Sequence, residues 1–141
     1  MWRLLNNCLN NHDVDKMSEE ELSYTTTQFF QKSLLTNQYD NFVLGADVGG
    51  TRTNIAIAGL KGKEVELLFS LDFETQSLDS IYPALKKTLQ IAKDEYSIHI
   101  TDACIGAAGL VSQNLSFVDL TNASWNIDAK DLVSKTQLES L

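Results

Sequence analysis

The sequence predicts an α/β domain made of three antiparallel strands, a helix and a further strand in the same sheet. Three observations predict it. Two apolar runs, residues 42–47 and 54–59, flank a loop of small and polar residues, and 65–73 follows as a third run rich in Val, Leu and Phe. Beyond them Ile81, Leu85, Leu89 and Ala92 recur at four- and three-residue steps, the spacing of one helix face. The run "DACIGAA" is then nearly continuous in apolar residues, as expected of a strand buried on both faces.

Taken in order, residues 1–40 stand apart as an extension, because they are polar and partly acidic and hold no glycine. Residues 1–16 read as loosely ordered. Met17 resembles a second start, and Ser18 followed by Glu19, Glu20 and Glu21 makes a helix N-terminus with acids at its positive end. Leu22, Phe29, Phe30 and Leu34 fall roughly on one side, which predicts an appended helix over 18–36. Residues 41–141 form the second unit. Its connector "LKGKE" places a glycine between lysines, which is hairpin chemistry and makes the three strands a meander. Ser77 or Ser80 is the expected cap of the next helix, and Pro83 fits only in a first turn, so the helix starts near Tyr82. A short strand in "LSFVDL" and a helix near 128–135 complete the chain.

The chain has 141 residues, 43% of them hydrophobic and 21% charged, enough for one modest core. A net charge of −8 argues against a general nucleic-acid binder or a membrane-surface protein, which usually carry a basic face. It leaves room for a nucleotide, which backbone N–H groups and a metal ion can hold. No apolar run approaches the length of a membrane span. Cys8 and Cys104 make neither a metal-ligand spacing nor a disulfide framework, and Cys104 is expected in the core. The expected location is the cytoplasm.

The chemistry gathers in "FVLGADVGGTRTNIAIAGL". Gly49 and Gly50 lack a Cβ, so the backbone is free to take positive φ and to approach an anion closely. Successive N–H groups in such a turn favour negative charge, and Thr51 and Thr53 add hydroxyls. An aspartate beside phosphates is repelled unless a cation lies between. Asp47 therefore fits a Mg²⁺ ion, which keeps several waters and takes only one or two carboxylates. An aspartate that merely caps a turn and a glycine pair that merely turns a hairpin leave the same local pattern. Arg52 is assigned to solvent, and the lone His12 and His99 carry no role.

"GADVGGTRTNIAIA" resembles the first phosphate loop of bacterial glucokinases and, more distantly, of the ROK sugar kinases and hexokinases. "IGAAGLVSQNLSFVDLTNASWNI" is similar to the glucokinase segment leading into a Thr-Asn-x-x-Trp signature, here Thr121, Asn122, Ala123, Ser124 and Trp125. The helix in "SLDSIYPALKK" has the family's place and length. The resemblance covers roughly residues 42–135. It implies the ribonuclease-H-like fold of the actin-like ATPases, with ATP and Mg²⁺ as cofactors and glucose or a similar hexose as substrate. Gly49, Gly50, Thr51 and Thr53 would then bind phosphate, with Asp47 on the metal, usually through water. On the sugar side, Asn122 either lines the cleft or bonds its own backbone. Gly109 either lets the chain turn close to the sugar or simply ends a strand, and Trp125 is a packing anchor.

Such kinases use a carboxylate base within an Asn-Asp pair at the end of the next core strand, and no such pair follows Trp125. The second phosphate loop and adenosine segment are also lacking, so no catalytic residue is assigned. Asp119 lies before Thr121, away from the required strand end. The expectation is the amino-terminal part of a hexose kinase, incomplete at the C-terminus and inactive as this chain alone. A non-catalytic nucleotide- or sugar-binding module that partners another chain is the alternative. A complementary carboxy-terminal chain or a homo-oligomer is the expected partner, because the strand near residues 103–107 would otherwise present an unpaired edge.

Overall fold

The structure, a computed structural model, describes residues 22–29 and 38–141. Its main sheet has five strands in the order β1-β4-β3-β2-β5. The meander expected from the sequence is its centre: β2 (Asn41–Val48), β3 (Arg52–Lys61) and β4 (Glu64–Glu74) pair antiparallel in succession. Gly62 supplies the positive φ of 59° that the β3–β4 turn needs, where a side chain would be strained.

The next strand, β5 (Asp102–Ala107), runs parallel to β2, with Val43 opposite Asp102 and Val48 opposite Ala107. A parallel neighbour requires a crossover, and helix α1 (Tyr82–Tyr96) supplies it. Pro83 sits in the first turn as expected, and Ile81, Leu85, Leu89 and Ala92 are all buried. The serines do not cap this helix. Ile81 is the N-cap with no side-chain cap bond, and the Ser77 hydroxyl instead donates to Glu74 O at 2.8 Å. The helix ends at Ser97 in the left-handed conformation, whose N–H reaches Lys93 O at 3.1 Å while Ile98 N–H reaches Ala92 O at 2.9 Å.

Helix α1 covers one face of the sheet. Leu44, Ala46 and Val48 of β2 alternate onto that face with Ile55 and Ile57 of β3 and Phe69, Leu71 and Phe73 of β4. Phe69 stacks on Tyr96 with ring centroids 4.7 Å apart. Each Val, Leu, Ile or Phe among them contributes about 1.5–3 kcal/mol on leaving water. A second sheet of three short strands follows, β6 (Gly109–Val111), β7 (Phe117–Leu120) and β8 (Asn126–Asp128). Helix α2 (Ala129–Lys135) begins at Asp128, whose carboxylate accepts from the Lys130 and Asp131 N–H groups at 2.9 and 3.2 Å. Trp125, Ile127, Leu132 and Leu138 join this part to the core.

Two further sequence expectations are corrected. Within the helix expected over 18–36, Tyr24–Gln28 is a strand, β1, paired antiparallel with β4 from Tyr24↔Phe73 to Gln28↔Phe69. Residues 1–21 and 30–37, including Cys8 and His12, lie outside the described residues. Cys104 is exposed rather than buried, because β5 is covered on one face only. The outer edge of β5 is met at its start by the last residues. Ser140 bridges to Asp102 in parallel, Ala103 N–H donates to Ser140 O at 3.1 Å, and Glu139 N–H donates to Thr101 O at 2.7 Å.

Candidate functional site

The loop between β2 and β3 is held from one side by two residues of the 3-10 turn Thr75–Ser77. The Thr75 hydroxyl donates to Gly49 O at 2.9 Å, Gln76 Nε2 donates to Gly50 O at 2.8 Å, and Thr75 N–H donates to Thr51 O at 2.9 Å. Three consecutive carbonyls thus face the same short turn. A trans peptide is planar, with each C=O opposed to the N–H of the next residue, and no cis bond interrupts the described chain. The Gly50 and Thr51 N–H groups are therefore turned away from Thr75 and Gln76. Neither has a hydrogen-bond partner among the described residues. Two free N–H groups side by side form a local positive field suited to an anion.

Thr53, expected to face the ligand, does not. It is fully buried, and its hydroxyl lies 2.9 Å from Thr75 Oγ1. Because Thr75 gives its one hydroxyl proton to Gly49 O, Thr53 is the donor between them. Its part is to brace the turn that braces the loop. The glycines also act differently from expectation, since neither Gly49 nor Gly50 has positive φ. A Cβ on Gly50 would lie 2.7 Å from Asn122 Cβ, so the missing side chain allows two loops to touch. Thr51 is exposed beside it.

Asp47 is exposed near the end of β2, on the sheet face opposite α1. Its cross-strand neighbours are Gly106 on β5 and Asn54 on β3, and Asn54 in turn faces Asp72 on β4. Asp47 has no hydrogen bond or ion pair with the described residues. Asp72 lies 3.5 Å from the Arg52 guanidinium, so Arg52 is spoken for although exposed. Among the described residues no group of three or more His, Cys, Asp or Glu side chains could enclose a metal. A single carboxylate without partners is too few for an all-protein metal cage and suits only a cation that keeps other ligands.

Asn122 is brought directly to the loop. Its side chain abuts Gly50, and its carbonyl accepts from Gln76 Nε2 at 2.7 Å. Gly109 is placed otherwise: a Cβ there would strike the Asp119 carbonyl, so its smallness serves the β6–β7 pairing, where it faces Leu120. Ala108 connects the two regions, its N–H reaching Val48 O at 3.1 Å and its carbonyl accepting from Thr121 N–H at 3.2 Å. Trp125 is buried, as an anchor should be. Asp119 is matched to Asn126, whose amide, turned to donate, lies 2.8 Å from its carboxylate. Sequence reasoning missed Thr75 and Gln76. They carry no motif, and their partners lie 26 and 46 residues away in the chain.

On the same face as Asp47, a groove of about 400 Å³ runs over Val43, Gly45, Ala56, Ala58, Leu67 and Cys104. No helix of the described residues is long and apolar enough to cross a membrane.

Comparison with known proteins bears on this arrangement. The glucokinase family model matches residues 44–141. Over 98 residues the chain is 32% identical to a glucokinase of Psychromonas ingrahamii, covering 70% of this chain and 28% of that protein. It is 31% identical over 85 residues to a glucokinase of Salmonella schwarzengrund, covering 60% and 24%. Among solved structures, a glucokinase from an Antarctic psychrotroph superposes with a TM-score of 0.61 at 22% identity, over 72% of this chain and 31% of that one. The Balamuthia mandrillaris glucokinase, solved in complex with glucose, gives 0.56 at 21% identity, over 65% and 26%. These structures share the actin-like ATPase fold with the described residues. The chain spans less than a third of the length of each of these proteins, and it belongs to the glucokinase family.

Proposed function

We propose that this chain supplies the first phosphate-binding loop of an ATP-dependent hexose kinase acting on glucose or a close hexose. The observation that carries the reading is the pair of unpartnered N–H groups on Gly50 and Thr51, in the loop that follows the strand bearing an unpaired Asp47. In this reading the two N–H groups and the Thr51 hydroxyl take phosphate oxygens, and Asp47 holds Mg²⁺, usually through water. Magnesium there would offset the negative charge of the phosphates. Asn122 lines the sugar side, and Gly109 shapes the strand pair behind it. Thr53 acts only through Thr75. A cytoplasmic location goes with this activity.

Phosphoryl transfer depends on positioning and charge stabilisation, and the sugar hydroxyl needs a base within hydrogen-bond reach. Asp47 is committed to the metal side and Asp119 to Asn126. In this reading neither of these two carboxylates serves as that base. A coupled assay of the purified chain, free of host kinase, should give no glucose-dependent ATP consumption above background at millimolar substrates. Turnover that vanished in Asp47→Ala would overturn this. Adding the carboxy-terminal part of a glucokinase should yield activity sensitive to the same substitution.

A non-catalytic reading, a module that partners another chain, draws on one observation. The sheet face opposite α1 is apolar along its groove and carries Val65 and Leu67 at 66% and 46% exposure. A face of that kind favours association with a complementary chain or a second copy.

A further inference from the structure

Gln76 occupies an unusual position for an exposed side chain. Its amide nitrogen donates to Gly50 O at 2.8 Å and to Asn122 O at 2.7 Å, so both of its N–H bonds are used, one on each loop. Two carbonyl oxygens aimed at one point repel each other unless a double donor stands between them. A neutral side chain of this length with two N–H donors on one nitrogen is glutamine. Its backbone is fixed at the same time, because Thr75 beside it is buried and bonded to Gly49 O and Thr51 O. The close approach of Gly50 to Asn122 Cβ is the packing counterpart of this tie.

We propose that Gln76 is a positioning residue that locks the phosphate loop to the Asn122 loop, fixing the separation between a bound phosphate and a hydroxyl-bearing substrate. The proposal rests on the phosphate-site reading above and adds to it a residue that touches neither ligand. Its value to the reaction is geometric: reacting atoms must be held in a near-attack arrangement, and two walls that drift independently cannot hold them.

The test uses the whole 141-residue chain, isotopically labelled, in two arms. In the first, without ligand, backbone ¹⁵N relaxation is compared between the parent, Gln76→Met, which is of similar size but has no donor, and Gln76→Lys, which keeps donors. Order parameters at Asn122 and Ala123 should fall from about 0.85 to below about 0.6 in Gln76→Met. They should stay near the parent value in Gln76→Lys, with Ile57 unchanged in all three as a measure of the intact fold. In the second arm, pyrophosphate and Mg²⁺ are titrated. In the parent, the Asn122 amide should shift with the same midpoint as Gly50, and in Gln76→Met Gly50 should still respond while Asn122 does not. Unchanged order parameters in Gln76→Met, or an Asn122 response that persists there, would overturn the proposal. A parent in which Gly50 does not respond to pyrophosphate would contradict the phosphate-site reading, and the first arm would still decide whether the tie exists.

Discussion

The two faces of the five-stranded sheet are made by alternate residues of the same strands, yet they differ in kind. The face under α1 is built from Leu, Ile and Phe side chains with almost no exposure. The opposite face is built from Val43, Gly45, Ala56, Ala58 and Cys104, and among the described residues no helix lies over it. Small side chains on a sheet leave room for close approach by another element. The covered face supplies the stability of the described fold, while the bare face carries Asp47 and leads to the loop of Gly49, Gly50 and Thr51. Fold and candidate chemistry are thus divided between the two sides of one sheet.

The largest expected effect would break this contrast if it failed. Phe69→Ala empties a fully buried site stacked on Tyr96 and should cost about 3–5 kcal/mol in urea unfolding. Leu67→Ala, on the bare face at 46% exposure, should cost under about 1 kcal/mol in the same measurement. Equal losses would mean that the second face is as well packed as the first.

A smaller effect on stability, but a large one on association, is expected at Gly45. A Cβ there meets nothing within 4 Å, so Gly45→Lys should leave unfolding within about 0.5 kcal/mol of the parent. The charge would stand in the middle of the apolar groove. Sedimentation velocity should show the parent associating with rising concentration and Gly45→Lys remaining monomeric. A parent that stays monomeric at all concentrations would remove the association reading.

The smallest effect concerns the edge of β5. The Asp102 carboxyl is held below its ordinary value of 3.8, first by the Ser140 hydroxyl and second by the Thr101 hydroxyl. A depressed folded value means that the carboxylate's support is present above the unfolded value and lost as pH falls through the folded one. Amide exchange at Ala103 should therefore be insensitive to this group above about pH 5 and should lose its protection only below 3.8. Asp102→Asn should show the looser edge already at neutral pH. Identical exchange in both proteins at neutral pH would mean that the Ser140 contact does not hold the edge.

Much of this was legible in the sequence, for identifiable reasons. The spacing of Ile81, Leu85, Leu89 and Ala92 marked α1 because its face is set by local geometry. The Asp47–Thr51 pattern marked the loop because few chemistries need an acid beside paired glycines. The failures share a cause in long-range partners. Tyr24–Gln28 became a strand through its register with β4, and the three successive threonines were the local signal that helical spacing outweighed. The apolar run at 102–108 established that both faces of β5 are apolar, which is a different matter from both being covered. Thr53 looked like a ligand-facing hydroxyl until Thr75, distant in sequence, was found against it. Gln76 was invisible for the same reason.

The proposed phosphate site is the pair of N–H groups on Gly50 and Thr51, with Asp47 on the metal side. Its most direct test is a titration of the ¹⁵N-labelled chain with pyrophosphate, with and without Mg²⁺, followed at every backbone amide. The Gly50 and Thr51 signals should move most, with Phe69 and Leu85 still. Asp47→Asn should weaken the Mg²⁺-dependent part of the binding about tenfold, equivalent to about 1.4 kcal/mol. Shifts that gathered elsewhere, or a Gly50 signal indifferent to saturating pyrophosphate and magnesium, would contradict the account.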